Sequence, residues 1–277
     1  MLDRNTVQVS IIVVNYNTFE TTVNCLQSIL DFVKGVSFEI VLVDNNSTDV
    51  NPQKFKERFP DIKLVISPTN VGFAKGNNLG LSKSGGEYIL LLNSDTLLTD
   101  DAVTIVHEFL KSQEKVAVAT ARLQYPDGRV QHNCQRFPSI SARLFEVLRL
   151  QKIFQQWGGK ILFGPFFNYN SIAYPDWVWG TFFFFKRNLL IQLTDNKLPD
   201  DFFMYGEDVQ WCYEFKRLGY SIAFVPHATV THLMGKSGGQ AALWMKQNQQ
   251  RFLDLYYSRT HQRVISFFDW LLRKTSR

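Results

Sequence analysis

Residues 9–17 are Val-Ser-Ile-Ile-Val-Val-Asn-Tyr-Asn, an apolar run rich in β-branched residues that ends in a polar triplet. A strand without polar alternation is typical of a parallel sheet that helices cover on both faces. Val9–Val14 is therefore predicted to be a buried strand, and Asn15-Tyr-Asn17 begins where that strand ends.

The same arrangement continues through the first 120 residues. Asn17 and Glu20 have the spacing of a capping box and predict a helix that ends at Gly35. Further strands are predicted over residues 38–43, 62–66, 88–92 and 116–123, with helical segments between them. This alternation predicts an α/β fold, doubly wound, with a mostly parallel sheet and helices on both faces.

Three polar clusters directly follow predicted strands: residues 15–17, 44–46 and 93–95. Ligands bind beyond the carboxyl ends of the strands in sheets of this kind. We therefore expect the three clusters to converge on one crevice.

The second half of the chain has weaker periodicity. Loops that include residues 158–169 are predicted to frame a helix over residues 141–154. An apolar run covers residues 177–186, a helix is predicted from Glu207 to Leu218, and residues 245–272 have a strongly helical pattern. We expect one domain over residues 1–240 and a C-terminal helical extension over residues 241–277.

Two carboxylates at predicted strand ends are candidate ligand-binding groups. Asp95 is placed to hold a hard divalent cation, and Asp44 is placed to accept a hydrogen bond from a nucleobase or a ribose. The alternative for both is ordinary turn chemistry, since Asn, Ser and Asp are common turn residues.

Residues 70–80 are Asn-Val-Gly-Phe-Ala-Lys-Gly-Asn-Asn-Leu-Gly. The glycines would let the backbone approach a ligand closely, and Asn77 and Asn78 offer donors and acceptors at a helix start. The segment is neither a GxxxxGK[ST] phosphate loop nor a GxGxxG dinucleotide fingerprint.

Glu207 and Asp208 follow an aromatic stretch, residues 202–205, that could desolvate a carboxylate and raise its pKa towards that of a general base. The alternative is simple helix N-terminal charge. His232 is a candidate metal ligand or phosphate donor, although a single histidine after a short strand is more often structural. His227 is equally plausible by chemistry.

The ordered set of these segments, over about residues 8–238, resembles the family 2 glycosyltransferases of the GT-A fold, and within them a bacterial rhamnosyltransferase-like branch. The resemblance implies that a nucleoside-diphosphate donor is bound by Asn15, Asn17, Asp44, Asn46, Gly72, Asn77, Asn93, Ser94 and Asp95. It also implies that Asp208 is the general base, that its neighbour Glu207 helps to place the acceptor, and that Asp95 and His232 hold Mg2+ or Mn2+.

The segment Trp179-Gly180-Thr181 resembles the part of this branch that lines the donor-sugar and acceptor pocket. Two positions depart from the family pattern. Asn93 replaces the first acid of the Asp-x-Asp motif, which removes one charge from the metal site. Trp179 stands where a serine is usual, which leaves the sugar specificity open.

The implied reaction is inverting transfer of a sugar, with dTDP-rhamnose as the first candidate donor, to a hydroxyl of a cell-surface polysaccharide or lipid-linked glycan. A non-catalytic nucleotide-sugar-binding relative is one alternative. A sugar nucleotidyltransferase is another, ranked lower because the chain has no Gly-rich triphosphate loop after its first strand.

The charge is +5 over 277 residues, which suits phosphate-bearing ligands or anionic membrane surfaces. The absence of a long Lys/Arg run or a nucleic-acid-binding signature argues against a nucleic-acid partner. Three distant cysteines favour a reducing compartment, and no signal peptide or membrane span is apparent, so we expect a cytoplasmic protein.

The C-terminal segment has an apolar helical face formed by Val264, Ile265, Phe267, Phe268, Leu271 and Leu272, followed by Arg273, Lys274 and Arg277. This pattern fits a helix lying on the inner face of an anionic membrane. The alternatives are a helix packed on the domain and a helix packed on the second subunit of a homodimer.

Overall fold

An eight-stranded sheet forms the centre of the computed structural model, which describes residues 7–234 and 239–275. The strands are β1 (Val9–Asn15), β2 (Phe38–Asp44), β3 (Lys63–Ile66), β4 (Tyr88–Asn93), β5 (Thr96–Leu98), β6 (Val116–Gln124), β9 (Phe182–Lys186) and β10 (Ser221–His232). Their order across the sheet is β3-β2-β1-β4-β9-β6-β10-β5. A separate two-stranded ribbon pairs β7 (Cys134–Gln135) with β8 (Trp177–Val178).

The helices are α1 (Phe19–Phe32), α2 (Gln53–Arg58), α3 (Phe73–Leu81), α4 (Ala102–Ser112), α5 (Ile140–Val147), α6 (Gln155–Leu162), α7 (Glu207–Arg217), α8 (Gly239–Tyr256) and α9 (Arg259–Thr275). Every helix within the two described ranges is too short or too polar to span a bilayer. The domain boundary predicted after residue 240 lies inside the first turn of α8.

Alternation along the strands divides the core into two layers. On one face, Ile11 and Val13 of β1 pack with buried residues of α1 and α4; on the other, Ile12 and Val14 pack with α3 and α7. The continuous apolar runs in the sequence are therefore required, because both faces of the sheet are covered.

The strand register aligns the carboxyl ends of β1, β2 and β4, where the polar clusters begin. β1 pairs in parallel with both β2 and β4, and Asn15 lies opposite Asp44 while Val14 lies opposite Asn93. The three clusters therefore lie together at the carboxyl ends of neighbouring parallel strands, as a shared crevice would require.

The predicted cap of the first helix was wrong. Asn17 adopts a left-handed conformation with φ of 53°, and α1 begins two residues later, at Phe19. The Asn17 side-chain oxygen instead accepts hydrogen bonds from the N–H groups of Thr48 and Asp49, at 2.7 and 3.3 Å. Asn17 therefore links the loop after β1 to the loop after β2. A capping side chain would instead accept a hydrogen bond from the first turn of its own helix.

The predicted helix over residues 141–154 is interrupted. Arg149 has a left-handed φ of 55°, so α5 ends at Val147 and a short 3-10 turn separates it from α6. The loop expected over residues 158–169 begins inside α6, which continues to Leu162. Periodicity alone could not locate the break, because the apolar spacing continues through it.

Candidate functional site

Asn15 and Asp44 form a buried hydrogen-bonded pair at the ends of β1 and β2. The Asn15 amide donates to Asp44 Oδ1 at 2.8 Å and to the Ser47 hydroxyl at 2.9 Å, and its oxygen accepts from the hydroxyls of Thr18 and Thr22. Both side chains are about 1% exposed. Asn15 therefore has both amide hydrogens and its oxygen engaged within the protein, and it fixes the position of the Asp44 carboxylate.

The loop after β2 connects to the glycine-rich segment through a residue that the sequence analysis did not select. Asn45 is buried; its amide donates to Asn70 Oδ1 at 2.9 Å, and its oxygen accepts the Val71 N–H at 3.0 Å. Asn46, which was selected, is exposed and has a φ of 65°. The only sequence signal for Asn45 was its place in the Asp44–Asn46 cluster.

The glycines of residues 72–80 serve packing within the protein. A Cβ at Gly80 would lie 2.4 Å from Ile12 Cγ2, and one at Gly76 would lie 3.1 Å from Val14 Cγ1, so both let α3 approach β1. Asn77 is buried and donates to the Phe73 carbonyl of its own helix, at 3.0 Å. Gly76 and Gly80 therefore serve the packing of α3 on the sheet and do not provide the close backbone approach to a ligand that the sequence predicted.

Gly72 lies against the loop that precedes the candidate base. Its φ is +84°, and a Cβ there would lie 2.4 Å from the Phe203 carbonyl oxygen. The neighbouring Phe73 N–H donates to that same oxygen at 2.7 Å. Only glycine permits this contact, because a side chain would meet backbone atoms and a strained φ at once.

Asp95 and His232 form the candidate metal site. β5 pairs with β10 so that His232 lies opposite Thr96, and this brings His232 Nε2 to 3.2 Å from Asp95 Oδ1. The other ring nitrogen, Nδ1, lies 2.8 Å from Gln131 Oε1, and the Gln131 amide donates to the His232 carbonyl at 2.9 Å. Gln131, which is 1% exposed, thus fixes the ring and directs Nε2 towards Asp95.

A carboxylate and an imidazole nitrogen that face each other are suitable ligands for a divalent cation such as Mn2+. In residues 7–234 and 239–275, no cluster of three or more His, Cys, Asp or Glu side chains could hold a metal. The donor set thus fits a cation whose remaining ligands come from phosphate oxygens and water, as is usual for cations bound with nucleotides.

The turn between β8 and β9 links the metal side to the candidate base. The Asn93 N–H donates to the Thr181 carbonyl at 3.0 Å, and the Gly180 N–H donates to Asp208 Oδ2 at 3.2 Å. Trp179 is half-buried and packs against the core of the sheet. Residues 179–181 therefore lie between the Asp95 turn and α7, and their role in lining a sugar pocket stays a prediction.

Glu207 and Asp208 begin α7 in a site that penalises negative charge. Burial raises the pKa of both carboxyls, and the neighbouring Asp208 carboxylate raises that of Glu207 further. The N–H groups of Gly180 and Val209 donate to Asp208 and oppose its shift. Glu207 Oε2 is buried without a hydrogen-bond partner. The Asp208 carboxyl is therefore stabilised in its charged form better than the Glu207 carboxyl beside it.

The predicted residues are joined by a continuous series of contacts. Asp44 bonds to Asn15, Asn15 to Thr18, and the Thr18 hydroxyl lies 3.3 Å from that of Ser94. The next two connections are the Asn93–Thr181 and Gly180–Asp208 hydrogen bonds. The structure thus brings the candidate donor, metal and base residues together, while His227 is exposed elsewhere on β10.

The model for Glycosyl transferase family 2 matches residues 10–172. This chain belongs to that family. The match includes the strand-end clusters from Asn15 to Asp95 and ends before Trp179, so the roles of Asp208 and His232 depend on geometry and on the family resemblance of their segments.

Several curated proteins are similar to the chain at low identity. The N-acetylglucosaminyl-diphospho-decaprenol L-rhamnosyltransferase of Mycobacterium tuberculosis is 21% identical over 225 residues, 73% of this chain and 68% of the relative. The poly-beta-1,6-N-acetyl-D-glucosamine synthase of Staphylococcus epidermidis is 23% identical over 94% of this chain, which spans only 59% of that enzyme.

Solved glycosyltransferase structures share the fold. GalNAc-T7, solved with UDP, GalNAc and Mn2+, has a TM-score of 0.61 at 15% identity; the match covers 83% of this chain and 44% of that one. The mannosyltransferase PcManGT of Pyrobaculum calidifontis, solved with GDP-Man and Mn2+, has a TM-score of 0.59 at 19% identity, covering 98% and 71% of the two chains. The predicted GT-A fold is confirmed.

Proposed function

We propose that this glycosyltransferase inverts the anomeric centre of a nucleoside-diphosphate sugar, with a divalent cation at Asp95 and His232 and with Asp208 as the general base. The observation that carries the proposal is the unbroken series of contacts from Asp44 to Asp208. Asp44, the Asp95 turn and Asp208 follow one another along this series, which supports one site for the donor, the cation and the base.

The donor nucleotide would contact the β1 and β2 ends. Asp44 accepts from Asn15 and from the Ser47 N–H, which leaves further lone pairs on its carboxylate for a base imide or a ribose hydroxyl. Asn15 then acts as a positioning residue, since its own polar atoms are already engaged. Exposed Asn46 is the adjacent side chain that a nucleotide would meet, while buried Gly72, packed against the Phe203 carbonyl, would shape the loop beside it.

A cation bound by Asp95 and His232 would neutralise the charge that develops on the leaving diphosphate. Two solved neighbours contain Mn2+, which supports divalent binding here. Asn93 in place of an acid gives this site one charge fewer. Its Oδ1 is buried without a partner and is a candidate acceptor for a ligand group.

The acceptor hydroxyl would lose its proton to Asp208. A raised pKa makes that carboxylate a stronger base than an exposed aspartate, and the two backbone N–H groups hold it in place. Glu207, beside it and more strongly shifted, would remain protonated and orient the acceptor. A single base on the acceptor side fits direct displacement with inversion.

A deoxyhexose donor, with dTDP-rhamnose first, and a polysaccharide or lipid-linked acceptor agree with the printed name of the Mycobacterium tuberculosis relative. The family match favours glycosyl transfer over nucleotidyl transfer. A non-catalytic donor-binding relative remains the second candidate, and the buried, perturbed carboxyls of Glu207 and Asp208 favour an enzyme over it.

The proposal is tested by a thermal-shift screen of UDP-, dTDP- and GDP-sugars with Mn2+, Mg2+ or EDTA, followed by transfer assays. We expect donor-induced stabilisation that needs the cation, is lost in Asp95→Ala and is kept in Asp61→Ala, which alters an exposed carboxylate. NMR of the product should show the inverted anomer. Full activity in EDTA, or a product of retained configuration, would contradict the proposal.

A further inference from the structure

One side of the protein carries exposed apolar side chains that the proposed donor site does not use. They lie on α5, the turn after it, α6, the 3-10 turn that follows α6, and α9, which pack on one another. Trp157 and Ile153 are 76% and 71% exposed. The apolar surface, as we name it, consists of Leu144, Leu148, Ile153, Phe154, Trp157, Phe166, Phe267 and Trp270.

This surface differs from the helical face predicted for the C-terminal segment. In the structure α9 packs along α5; Ile265 is buried, Val264 and Phe268 are partly buried, and only Phe267 of the six predicted residues is exposed. The predicted face is thus largely used inside the chain, and Arg277 lies outside the described residues. What remains open to a partner is the outer edge of α9 together with α5 and α6.

The charge around the apolar surface is strongly positive. Residues 140–165 and 259–275 contain eight Lys and Arg residues and two Asp and Glu residues, a net charge of +6 against +5 for the whole chain. The two acids, Glu146 and Asp269, are both ion-paired with Arg143. The basic balance of this protein therefore comes entirely from this one region.

The side-chain types match the boundary between lipid headgroups and acyl chains. Trp157 and Phe154 are exposed, and the exposed basic residues Lys152 and Lys160 lie within three residues of them in the sequence. At the end of α9, Trp270 stacks with Phe267 and lies under the Lys274 ammonium, 4.4 Å from its ring centre. Aromatic residues interleaved with Lys and Arg are typical of interfacial segments on anionic bilayers.

The apolar surface is also connected to the acceptor side of the site. α8, which leads into α9, holds the loop before Glu207: the Asn248 amide donates to the Met204 carbonyl at 2.7 Å, and Trp244 packs edge-on against Phe203. The apolar surface is therefore linked to the segment before the proposed base through α8, which α9 follows in the chain.

We infer that the apolar surface docks this protein on an anionic lipid bilayer, with Trp157, Phe154 and Trp270 in the headgroup region and the surrounding lysines and arginines on the phosphates. The inference is independent of the donor identity proposed above. The partner is a lipid surface rather than a second copy of this chain, because two copies would face each other with the same positive surplus, whereas anionic headgroups would neutralise it.

Vesicle flotation of the full chain tests the inference, with phosphatidylcholine vesicles that contain either no anionic lipid or about one third phosphatidylglycerol. We expect binding to the anionic vesicles only. Phe154→Ser combined with Trp157→Ser should lower the partition coefficient at least about tenfold. Lys152→Glu with Lys160→Glu should lower it about as much and should weaken its dependence on salt.

The control is Phe32→Ser, which removes an exposed aromatic side chain from α1 on the opposite face of the sheet and should leave binding unchanged. All substituted side chains are exposed, so thermal melts should stay close to that of the parent. Wild-type protein that does not float with anionic vesicles would overturn the inference. So would equal binding to neutral vesicles, or light scattering that shows a dimer which dissociates in the Trp157 variant.

Discussion

The proposed donor half, at the ends of β1 and β2, and the proposed acceptor half, at the start of α7, are built differently. At the ends of β1 and β2, Asn15 is buried with both amide hydrogens and its oxygen engaged in hydrogen bonds. At the start of α7, Glu207 Oε2 is buried without a partner, and two adjacent carboxyls have raised pKa values. Because a buried carboxyl oxygen without a partner reduces stability, its presence beside Asp208 supports a half in which chemistry, rather than folding, determines the residues.

The largest effect should come from the acceptor half. Asp208→Asn removes the proposed base and should lower kcat/KM by about 100- to 10,000-fold, while donor affinity measured by calorimetry stays unchanged. Asp195→Asn is the matched control, because that carboxylate is exposed and thirteen residues before Asp208 in the sequence. A variant at position 208 with near-normal turnover would refute the base assignment.

In the donor half, the expected effect is on folding. Asn15→Ala removes four hydrogen bonds and leaves the buried Asp44 carboxylate with the Ser47 N–H and the Thr22 hydroxyl with the Thr18 hydroxyl, which should lower the free energy of unfolding by about 3 kcal/mol. Urea denaturation measures this change. Asn24→Ala on the exposed side of α1 should change it by less than about 0.5 kcal/mol. Equal stability of the two variants would show that the Asn15 network is not structural.

The proposed metal pair, Asp95 and His232, is contacted by Gln131, which we expect to be its positioning residue. Gln131→Leu leaves Asp95 and His232 in place but frees the imidazole to rotate, so we expect about 10- to 100-fold weaker Mn2+ binding in the presence of a nucleotide. Titration calorimetry gives this value. Gln124→Leu, which affects a neighbouring amide bonded to Thr231, should keep the parental affinity.

The smallest predicted effect concerns Glu207 and pH. Its pKa is raised in the folded protein, so the folded state binds more protons than the unfolded state between the ordinary carboxyl pKa and the raised one, and stability falls as the pH rises through that range. Glu207→Gln removes this loss and should stabilise the protein by about 1 kcal/mol at neutral pH. Thermal melts from acid to neutral pH should converge for the two proteins at the acid end.

The sequence was a good guide to the donor half. The apolar runs of β1, β2 and β4 are long, continuous and bounded by polar clusters, and parallel topology then fixes which ends meet. It was a poor guide to finer features. Asn17 takes a left-handed conformation in place of a cap, and Arg149 splits a helix whose apolar spacing continues across the break.

The Asp95–His232 contact could not be derived from the residues themselves. It requires the three-residue strand β5 to pair with the end of β10, and a strand that short has no periodicity to detect. Gln131 was missed for a related reason, because a glutamine far away in the sequence gives no signal that its amide will face a particular histidine. Only the family resemblance predicted that Asp95 and His232 act together.

The close approach of Gly72 to Phe203 has a consequence for how the binding of two substrates would be coupled. The segment that would touch the nucleotide and the segment that leads to the base share a backbone hydrogen bond, from the Phe73 N–H to the Phe203 carbonyl, with no room for a side chain between them. Whatever shifts one segment must strain or shift the other. If the two segments form the donor and acceptor subsites, we expect filling either one to alter the free energy of filling the other by the same amount.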